Sequence, residues 1–250
     1  MNDSIEAYDR WAEYYDLLYQ HQDMDDTAFY VEQAATTDGP VLEIGCGTGR
    51  IYLELLENGV DADGIDISPN MLATLKEKAD DRGLEPSVQQ ADMTEFDLDR
   101  SYDLIIIPFR TFLHNTTKEQ QLATLNTCYD HLRAGGVLML NFFQPDPDYI
   151  SAEYGRPTMQ RFVVDGEEFL LIDHSRYQDP VEGLVTMEKE LISAQRGEIK
   201  TETLTIRLID KPTFDLLLEQ SQFTDWTVHG GFEKKELTAH DQELVWEITK

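Results

Sequence analysis

The chain has 250 residues, enough for one large domain, or for one domain that carries an insertion, with a sizeable core. Its 49 acidic and 20 basic residues give a formal net charge of −29 at pH 7. That balance disfavours nucleic acid as a partner, because such binding depends on Lys and Arg neutralising phosphates. Periodic apolar segments persist between the carboxylates, which excludes a disordered acidic chain.

The acidic residues are spread along the whole chain, so its surface would repel itself strongly in dilute buffer. At ~1 M salt the Debye length is only ~3 Å and most of this repulsion is screened. We therefore expect a halophile's enzyme, with an acidic protein of a non-halophilic organism as the alternative. Cys46 and Cys128 are isolated, which indicates a reducing compartment and no disulfide framework. The polar N-terminus and the absence of a long apolar run predict a cytoplasmic protein without a membrane partner.

The first helices precede the most informative stretch. Tyr8, Trp11 and Tyr15 recur at helical spacing within residues 4–19, and Tyr8 and Trp11 are expected to pack on the core. A second helix is expected from about residue 25 to 35.

Residues 41–50 (VLEIGCGTGR) predict a buried strand, a glycine turn and a helix. The spacing Gly45, Gly47, Gly49 departs from the dinucleotide fingerprint, whose third glycine position is occupied here by Arg50. Glu43 lies inside the strand, where a carboxylate would repel a pyrophosphate and suits a cationic amino-acid group.

Two further strands end in acids. The strand in residues 62–68 ends near Asp66, 21 residues past Gly45, where a carboxylate can accept both hydroxyls of a ribose. Ser68 and Pro69 then start a helix. The strand predicted for residues 87–93 ends at Asp92.

The fourth strand, residues 102–109, is apolar on both faces, as expected for a central parallel strand. A capping box at Thr117 and Gln120 starts the next helix, and the fifth strand is expected at 137–143. Residues 144–209 predict an antiparallel meander that covers the substrate side or forms a dimer contact. A helix and two strands, at 223–230 and 243–250, close the chain.

The E-x-G-x-G-x-G spacing resembles motif I of class I S-adenosylmethionine (SAM) methyltransferases. The resemblance implies a three-layer, doubly wound α/β fold with a mostly parallel seven-stranded sheet and an inserted antiparallel β subdomain. We expect a core with N-terminal lid helices at residues 1–143, the insertion at 144–209 and the closing helix and strand pair at 210–250.

The resemblance also implies roles for individual residues. Tyr15 matches a lid-helix tyrosine that covers the cofactor, and Asp92 matches an acid that recognises adenine. The backbone of Met93 is expected at the edge of the adenine ring. The implied cofactor-binding residues are Tyr15, Glu43, Gly45, Cys46, Gly47, Gly49, Asp66, Ile67, Met71, Asp92, Met93 and Pro108.

For the acceptor, His114 is the candidate base, since its ordinary pKa near 6.5 leaves it neutral at pH 7. Tyr15 is a second candidate catalytic residue, and Tyr19, Arg110 and His114 are expected to bind the acceptor. Arg110 could bind a carboxylate or phosphate, or instead pair with one of the chain's own carboxylates.

The predicted function is methyl transfer from SAM, leaving S-adenosylhomocysteine, to a small-molecule acceptor, more at nitrogen than at oxygen and without a metal. The chain lacks the Asn/Asp-Pro-Pro-Tyr signature of enzymes that methylate nucleic-acid amines; residues 108–111 (PFRT) stand in its place. The alternatives are a protein or RNA methyltransferase, a non-catalytic SAM-binding regulator and, least favoured because of Arg50, a nucleotide-dependent oxidoreductase. A homodimer through the inserted subdomain is a further expectation.

Overall fold

A computed structural model describes residues 2–19, 26–164, 166–197, 199–239 and 241–250. Its largest element is a twisted sheet built around the strand that contains Glu43. The strands of this sheet are β1 (Val41–Ile44), β2 (Ala62–Asp66), β3 (Ser87–Gln90), β4 (Tyr102–Ile107), β5 (Leu132–Phe143), β10 (Asp225–Gly230), β11 (Lys235–Glu236) and β12 (Glu243–Thr249).

The strand order is β11-β10-β12-β5-β4-β1-β2-β3. From β3 to β5 neighbouring strands are parallel, and β12 and β10 add antiparallel strands at the other edge. The expected doubly wound α/β fold is thus confirmed. The eighth strand, beyond the seven expected, is the two-residue β11.

Helices cover both faces of this sheet because its central strands are apolar on both sides. On one face, Leu53 and Leu75 belong to a core with Val41, Leu104 and Ile106. On the other face, Leu125 and Phe214 pack with Ile105, Phe142 and Trp246. The helices are α1 (Asn2–Tyr19), α2 (Asp26–Ala35), α3 (Tyr52–Glu57), α4 (Pro69–Arg82), α5 (Lys118–His131), α6 (Pro147–Glu153) and α7 (Lys211–Gln220).

Two predicted helix starts are confirmed. The Ser68 hydroxyl accepts from the amide of Met71, with Pro69 in the first turn of α4. Thr117 and Gln120 form the reciprocal capping box of α5.

A second sheet lies between β5 and α7 in the chain. It contains β6 (Thr158–Val164), β7 (Glu167–Asp179), β8 (Leu184–Ser193) and β9 (Ile199–Arg207), all antiparallel, in the order β6-β7-β8-β9. We call this four-stranded sheet the roof. α1 packs against it, with Trp11 and Leu18 clustered on Phe169 and Leu191.

Besides β11, the structure differs from the predictions in β3, β5 and α6. β3 ends at Gln90 because the carboxylate of Asp92 accepts from the amide and the hydroxyl of Thr94 and turns the chain. β5 begins at Leu132, before its expected start. α6 was not predicted, although its N-cap Asp146 accepts from the amides of Asp148 and Tyr149.

Among the described residues, no helix has the length and apolar character needed to cross a membrane. The same residues include no group of three or more His, Cys, Asp or Glu side chains that could hold a metal ion.

Candidate active site

The turn after β1 forms a glycine cradle, by which we mean residues 45–49. Gly45, Gly47 and Gly49 all have positive φ, of 74°, 53° and 89°. A Cβ at Gly45 would lie 2.6 Å from Cγ2 of Thr111, so this glycine permits a close contact with the segment after β4. Gly49 instead contacts Leu53 and Leu75, and its place is in helix packing rather than on the cleft.

Glu43 lies beneath the cradle with 3% of its surface exposed. Its Oε2 atom is buried and has no hydrogen-bond partner among the residues that the structure describes. Burial raises the pKa of this carboxyl well above its ordinary value, opposed by the positive charge of Arg50. Such an acid favours a cationic ligand group, which would supply the missing partner. Glu43 lines a small pocket together with Cys46, Pro108 and Phe109.

Arg50, which stands where a dinucleotide fingerprint has glycine, holds α2 in place. Its guanidinium donates to both carboxylate oxygens of buried Asp26, at 2.6 and 2.7 Å, and also to Thr27. It lies 5.1 Å from the centre of the Phe109 ring. Arg50 therefore shapes the wall of the small pocket while its charge is paired.

Asp66 ends β2 beside the cradle. Its carboxylate accepts from the amides of Gly47, at 2.9 Å, and of Ser68, at 2.8 Å. Burial raises its pKa to about 6, against the opposing effect of these amide donors. Asp66 therefore loses its charge in mildly acidic solution.

Asp92, Met93 and Asn115 lie together farther along the cleft. Asn115 donates through Nδ2 to the Met93 sulfur at 3.3 Å. Ile67 and Met71 supply apolar surface to the same cleft. This end combines an acid with flat apolar contacts, as an amino-bearing aromatic ring requires.

Carboxylates on α1 fasten it over the cleft. Asp9 accepts from the Ser68 hydroxyl and from the amide of Asn70. Asp16 accepts from the Thr48 hydroxyl at 2.6 Å and from the Lys78 ammonium at 2.8 Å. α1 is thus tied to both the cradle and α4.

Tyr8 and His114 form a hydrogen-bonded pair that lines the cleft. The Tyr8 hydroxyl lies 2.8 Å from Nε2 of His114. The Nδ1 atom of His114 is buried, with no hydrogen-bond partner in the described part of the chain. Burial lowers the pKa of His114 to about 4, so its imidazole is neutral at pH 7. Tyr15 also lines the cleft, with its ring centre 6.5 Å from that of Tyr8.

Arg110 lines the cleft near His114 and has a carboxylate partner. Its Nη2 donates to Oε2 of Glu243 at 2.8 Å, and its guanidinium lies 5.1 Å from the centre of the Phe143 ring. Of the two readings that the sequence left open for Arg110, the structure contains the intramolecular ion pair.

The roof closes the opposite side of a cleft of about 800 Å³. Gln178, Met187, Lys189, Thr201, Thr203 and Thr205 of the roof contribute to its lining. Arg207 on β9 donates to the carbonyl oxygen of Thr116 at 3.0 Å, which fixes the roof to the segment that follows His114.

Most residues implicated by the sequence converge on these two pockets, Gly49 being the described exception. α1 ends at Tyr19, but the side chain of Tyr19 lies outside what the structure describes. Tyr8 was expected in the core, and the structure instead places it on the cleft. Its spacing of seven residues from Tyr15 was the available signal, since residues two helical turns apart share a face. The roof residues had no motif to identify them.

These residues suit SAM on structural grounds. The unpartnered Glu43 oxygen suits the ammonium of its amino-acid end, the glycine cradle admits a close ligand, and Asp66 and Asp92 offer acceptors for a nucleoside. An acid-lined glycine cradle at the carboxyl ends of parallel strands therefore fits SAM as its ligand.

Comparisons with known proteins agree. The family model described as a methyltransferase domain matches residues 41–136. A phosphatidylethanolamine N-methyltransferase from Cereibacter sphaeroides is 30% identical over 149 residues, covering 58% of this chain and 71% of that enzyme. The chain therefore belongs to the methyltransferase-domain family, and it is a SAM-dependent methyltransferase.

Two further relatives are matched over less of their own length. A dTDP-3-amino-3,6-dideoxy-alpha-D-glucopyranose N,N-dimethyltransferase from Streptomyces fradiae is 26% identical over 163 residues, 60% of this chain and 62% of that enzyme. A Bacillus subtilis (strain 168) protein named as a methyltransferase is 29% identical over 135 residues, about half (54%) of each chain.

Among solved structures, SAM-bound CalS10, an amino pentose methyltransferase from Micromonospora echinaspora, superposes with a TM-score of 0.73 at 20% identity. The match covers 94% of this chain and 96% of that one, and it shows a shared fold.

Proposed function

We propose that this enzyme methylates an amine nitrogen on a small, hydroxyl-bearing acceptor of the amino-sugar class. The Cereibacter sphaeroides relative is named as an N-methyltransferase, and the Streptomyces fradiae relative as an N,N-dimethyltransferase of an amino sugar. The amino pentose methyltransferase with the same fold supports the same class. The polar roof side chains Gln178, Thr201, Thr203 and Thr205 suit an acceptor rich in hydroxyls.

For the cofactor, we propose that Glu43 holds the ammonium group, Asp66 the ribose hydroxyls and Asp92 the adenine amine. Gly45 and Gly47 let the backbone approach, and Tyr15 covers the site from α1. When bound, SAM supplies an electrophilic methyl group on a sulfonium. What remains for the chain is to align the acceptor and remove one proton, and alignment alone can lower the barrier by ~7–11 kcal/mol.

The observation that carries the acceptor assignment is the Tyr8–His114 pair. A neutral imidazole can take the proton that a nitrogen loses as its bond to the methyl group forms, either directly or by a shift through the Tyr8 hydroxyl. The lowered pKa of His114 keeps this base available throughout the neutral range. Arg110 forms an ion pair with Glu243. We therefore expect Arg110 to form part of the wall of the acceptor site rather than to offer an unpaired charge to the acceptor.

We further propose that residues 144–209 act as the acceptor-binding wall, because their roof sheet lines the cleft and is fixed to the core through Arg207. The outer strand β6 exposes Met159 and Val163, which supports the alternative or additional role in a homodimer. The net charge of −29 supports a cytoplasm of high salt as the working environment.

The test has two stages, both in 2 M KCl. Calorimetry should detect binding of S-adenosylhomocysteine to the protein. NAD⁺ should not shift the melting temperature of the protein. A panel of amino sugars and their hydroxyl counterparts, assayed with labelled SAM, should give label transfer to the amines only. Protein and RNA fractions of a cell extract should be assayed in the same way. Labelling confined to these fractions would overturn the small-acceptor proposal. Binding without transfer to any fraction would favour a regulator.

A further inference from the structure

The chain has a left-handed backbone at two successive non-glycine residues directly after β4. Phe109 has φ 57° and Arg110 has φ 66°, and Lys234 is the one other non-glycine residue with positive φ among those the structure describes. Side chains disfavour this conformation, and it persists only where the surroundings hold it. The segment Pro108–Thr111, which we call the strand-end turn, therefore needs a support.

Asn141 on β5 is that support. Its Oδ1 atom accepts from the backbone amide of Phe109 at 3.0 Å and from the hydroxyl of Tyr30 at 2.8 Å. Asn141 is 1% exposed and Tyr30 is fully buried, so these bonds are shielded from water.

Glu243 on β12 orients the amide of Asn141. Its Oε1 accepts from Nδ2 of Asn141 at 2.6 Å, and its Oε2 accepts from Arg110 at 2.8 Å. A rotated amide would place its oxygen against this carboxylate and its donors against the Phe109 amide. One carboxylate thus fixes both Asn141 and the second left-handed residue.

The strand-end turn contacts both parts of the active site. The Phe109 ring lines the small pocket beside Glu43 and lies 5.1 Å from Arg50. Thr111 at the end of the turn packs on Gly45 of the cradle and begins the 3₁₀ helix, Thr111–His114, that carries the candidate base. A shift of this turn would move the cofactor cradle and the base together.

We propose that Asn141, oriented by Glu243, is a positioning residue for methyl transfer, which holds the strand-end turn in its left-handed form. The proposal rests on the proposed cofactor placement in the cradle. It assigns Asn141 no contact with the cofactor or the acceptor.

The test is binding of S-adenosylhomocysteine by calorimetry to the full chain. Asn141→Ala removes the acceptor of the Phe109 amide, and Asn141→Asp keeps the side-chain volume but replaces the donor to Glu243 with a second carboxylate oxygen. Each should weaken binding at least about tenfold. In a Phe109→Gly background, glycine accepts positive φ without strain. The loss of S-adenosylhomocysteine affinity caused by Asn141→Ala should therefore be several-fold smaller in that background. A crystal structure of ligand-free Asn141→Ala should show the φ of Phe109 moved to negative values.

Tyr102→Phe is the matched control. It deletes the 2.9 Å hydrogen bond from the Tyr102 hydroxyl to Asp63, at the end of β4 away from the strand-end turn. This variant should have lower stability but unchanged affinity for S-adenosylhomocysteine. Should Asn141→Ala bind like the wild type with Phe109 still left-handed, the positioning role is wrong. Equal losses in the Phe109→Gly and wild-type backgrounds would also overturn it. A wild-type chain that does not bind S-adenosylhomocysteine would instead refute the proposed cofactor site.

Discussion

The hydroxyl of Tyr8 lies 2.8 Å from Nε2 of His114, although 106 residues separate them in the chain. The bond joins α1 to the 3₁₀ helix after β4, so the candidate base is complete only when α1 is docked. Docking in turn depends on Asp9 and Asp16, which bind the core near the cradle. In the proposed mechanism, docking of α1 therefore both covers the cofactor and completes the Tyr8–His114 pair.

Removing either member of this pair should slow transfer without loss of cofactor affinity. His114→Ala should lower kcat on an identified amine acceptor by ~10²–10⁴, the usual contribution of a general base. Tyr8→Phe should lower it less, by about tenfold, because the imidazole remains. S-adenosylhomocysteine affinity, measured by calorimetry, should change less than about threefold in both. Full turnover in His114→Ala would discard the base assignment.

The pH dependence of kcat should report the lowered pKa of His114. With a pKa of about 4, the base is neutral above that value, so kcat at saturating SAM should stay level from pH 8 to pH 6 and fall only toward pH 4. A histidine with an ordinary pKa would lose half its activity near pH 6.5. The acceptor must be supplied above its KM at each pH, since amine protonation reduces the reactive form. A midpoint near 6.5 that survives this control would contradict the burial argument.

Cofactor affinity should have a separate pH dependence that arises from Asp66. The raised pKa means that this carboxylate is ionised above about pH 6 and protonated below it, so it loses its charge and can no longer accept through both oxygens as pH falls. Between pH 7 and pH 5 the Kd for S-adenosylhomocysteine should rise about tenfold. Asp66→Asn should bind more weakly at pH 7 and vary less across this range. An unchanged pH profile in Asp66→Asn would move the effect to another group.

Glu43→Gln should weaken cofactor binding and raise the stability of the free protein. In the wild type, Oε2 of the buried Glu43 carboxyl has no hydrogen-bond partner among the described residues, and burial disfavours its ionised form. An amide that cannot ionise avoids this desolvation cost, so the change should stabilise the free protein by about 1 kcal/mol, ~2–4 °C in melting temperature. The same change should weaken S-adenosylhomocysteine binding about tenfold or more, because the ligand's ammonium loses its counter-charge. Glu95→Gln, the same substitution at an exposed site, controls for the general benefit of reducing negative charge. Weaker binding without a gain in stability beyond that control would contradict the assigned desolvation cost.

The order of elements could be predicted because local patterns specify it. Residues 41–50 contain their strand, turn and helix signals within ten positions, and the Thr117–Gln120 box marks a helix start without tertiary help. The acids Glu43, Asp66 and Asp92 could be predicted because parallel strands end at one sheet edge, so positions far apart in sequence become neighbours there.

What escaped prediction depends on contacts between distant segments. Asn141 looks like a polar interruption of an apolar strand until Phe109 and Glu243 are placed beside it. Whether Arg110 pairs with Glu243 is decided across 133 residues, and neither position has a motif. The face of α1 that meets the cleft is set by the roof, whose own docking no local signal specifies.

Salt should stabilise this protein through its surface charge. The 20 basic residues cannot pair all 49 acidic ones, so a large net repulsion remains. The Debye length over which this repulsion acts is ~10 Å at 0.1 M salt and ~3 Å at 1 M. The melting temperature should therefore rise by at least several degrees between 0.1 M and 2 M KCl. Substituting Lys for the exposed acids Glu95, Asp97 and Asp99 should reduce that rise. A melting temperature that does not change over this range, or a rise that the triple variant fully retains, would contradict adaptation to high salt.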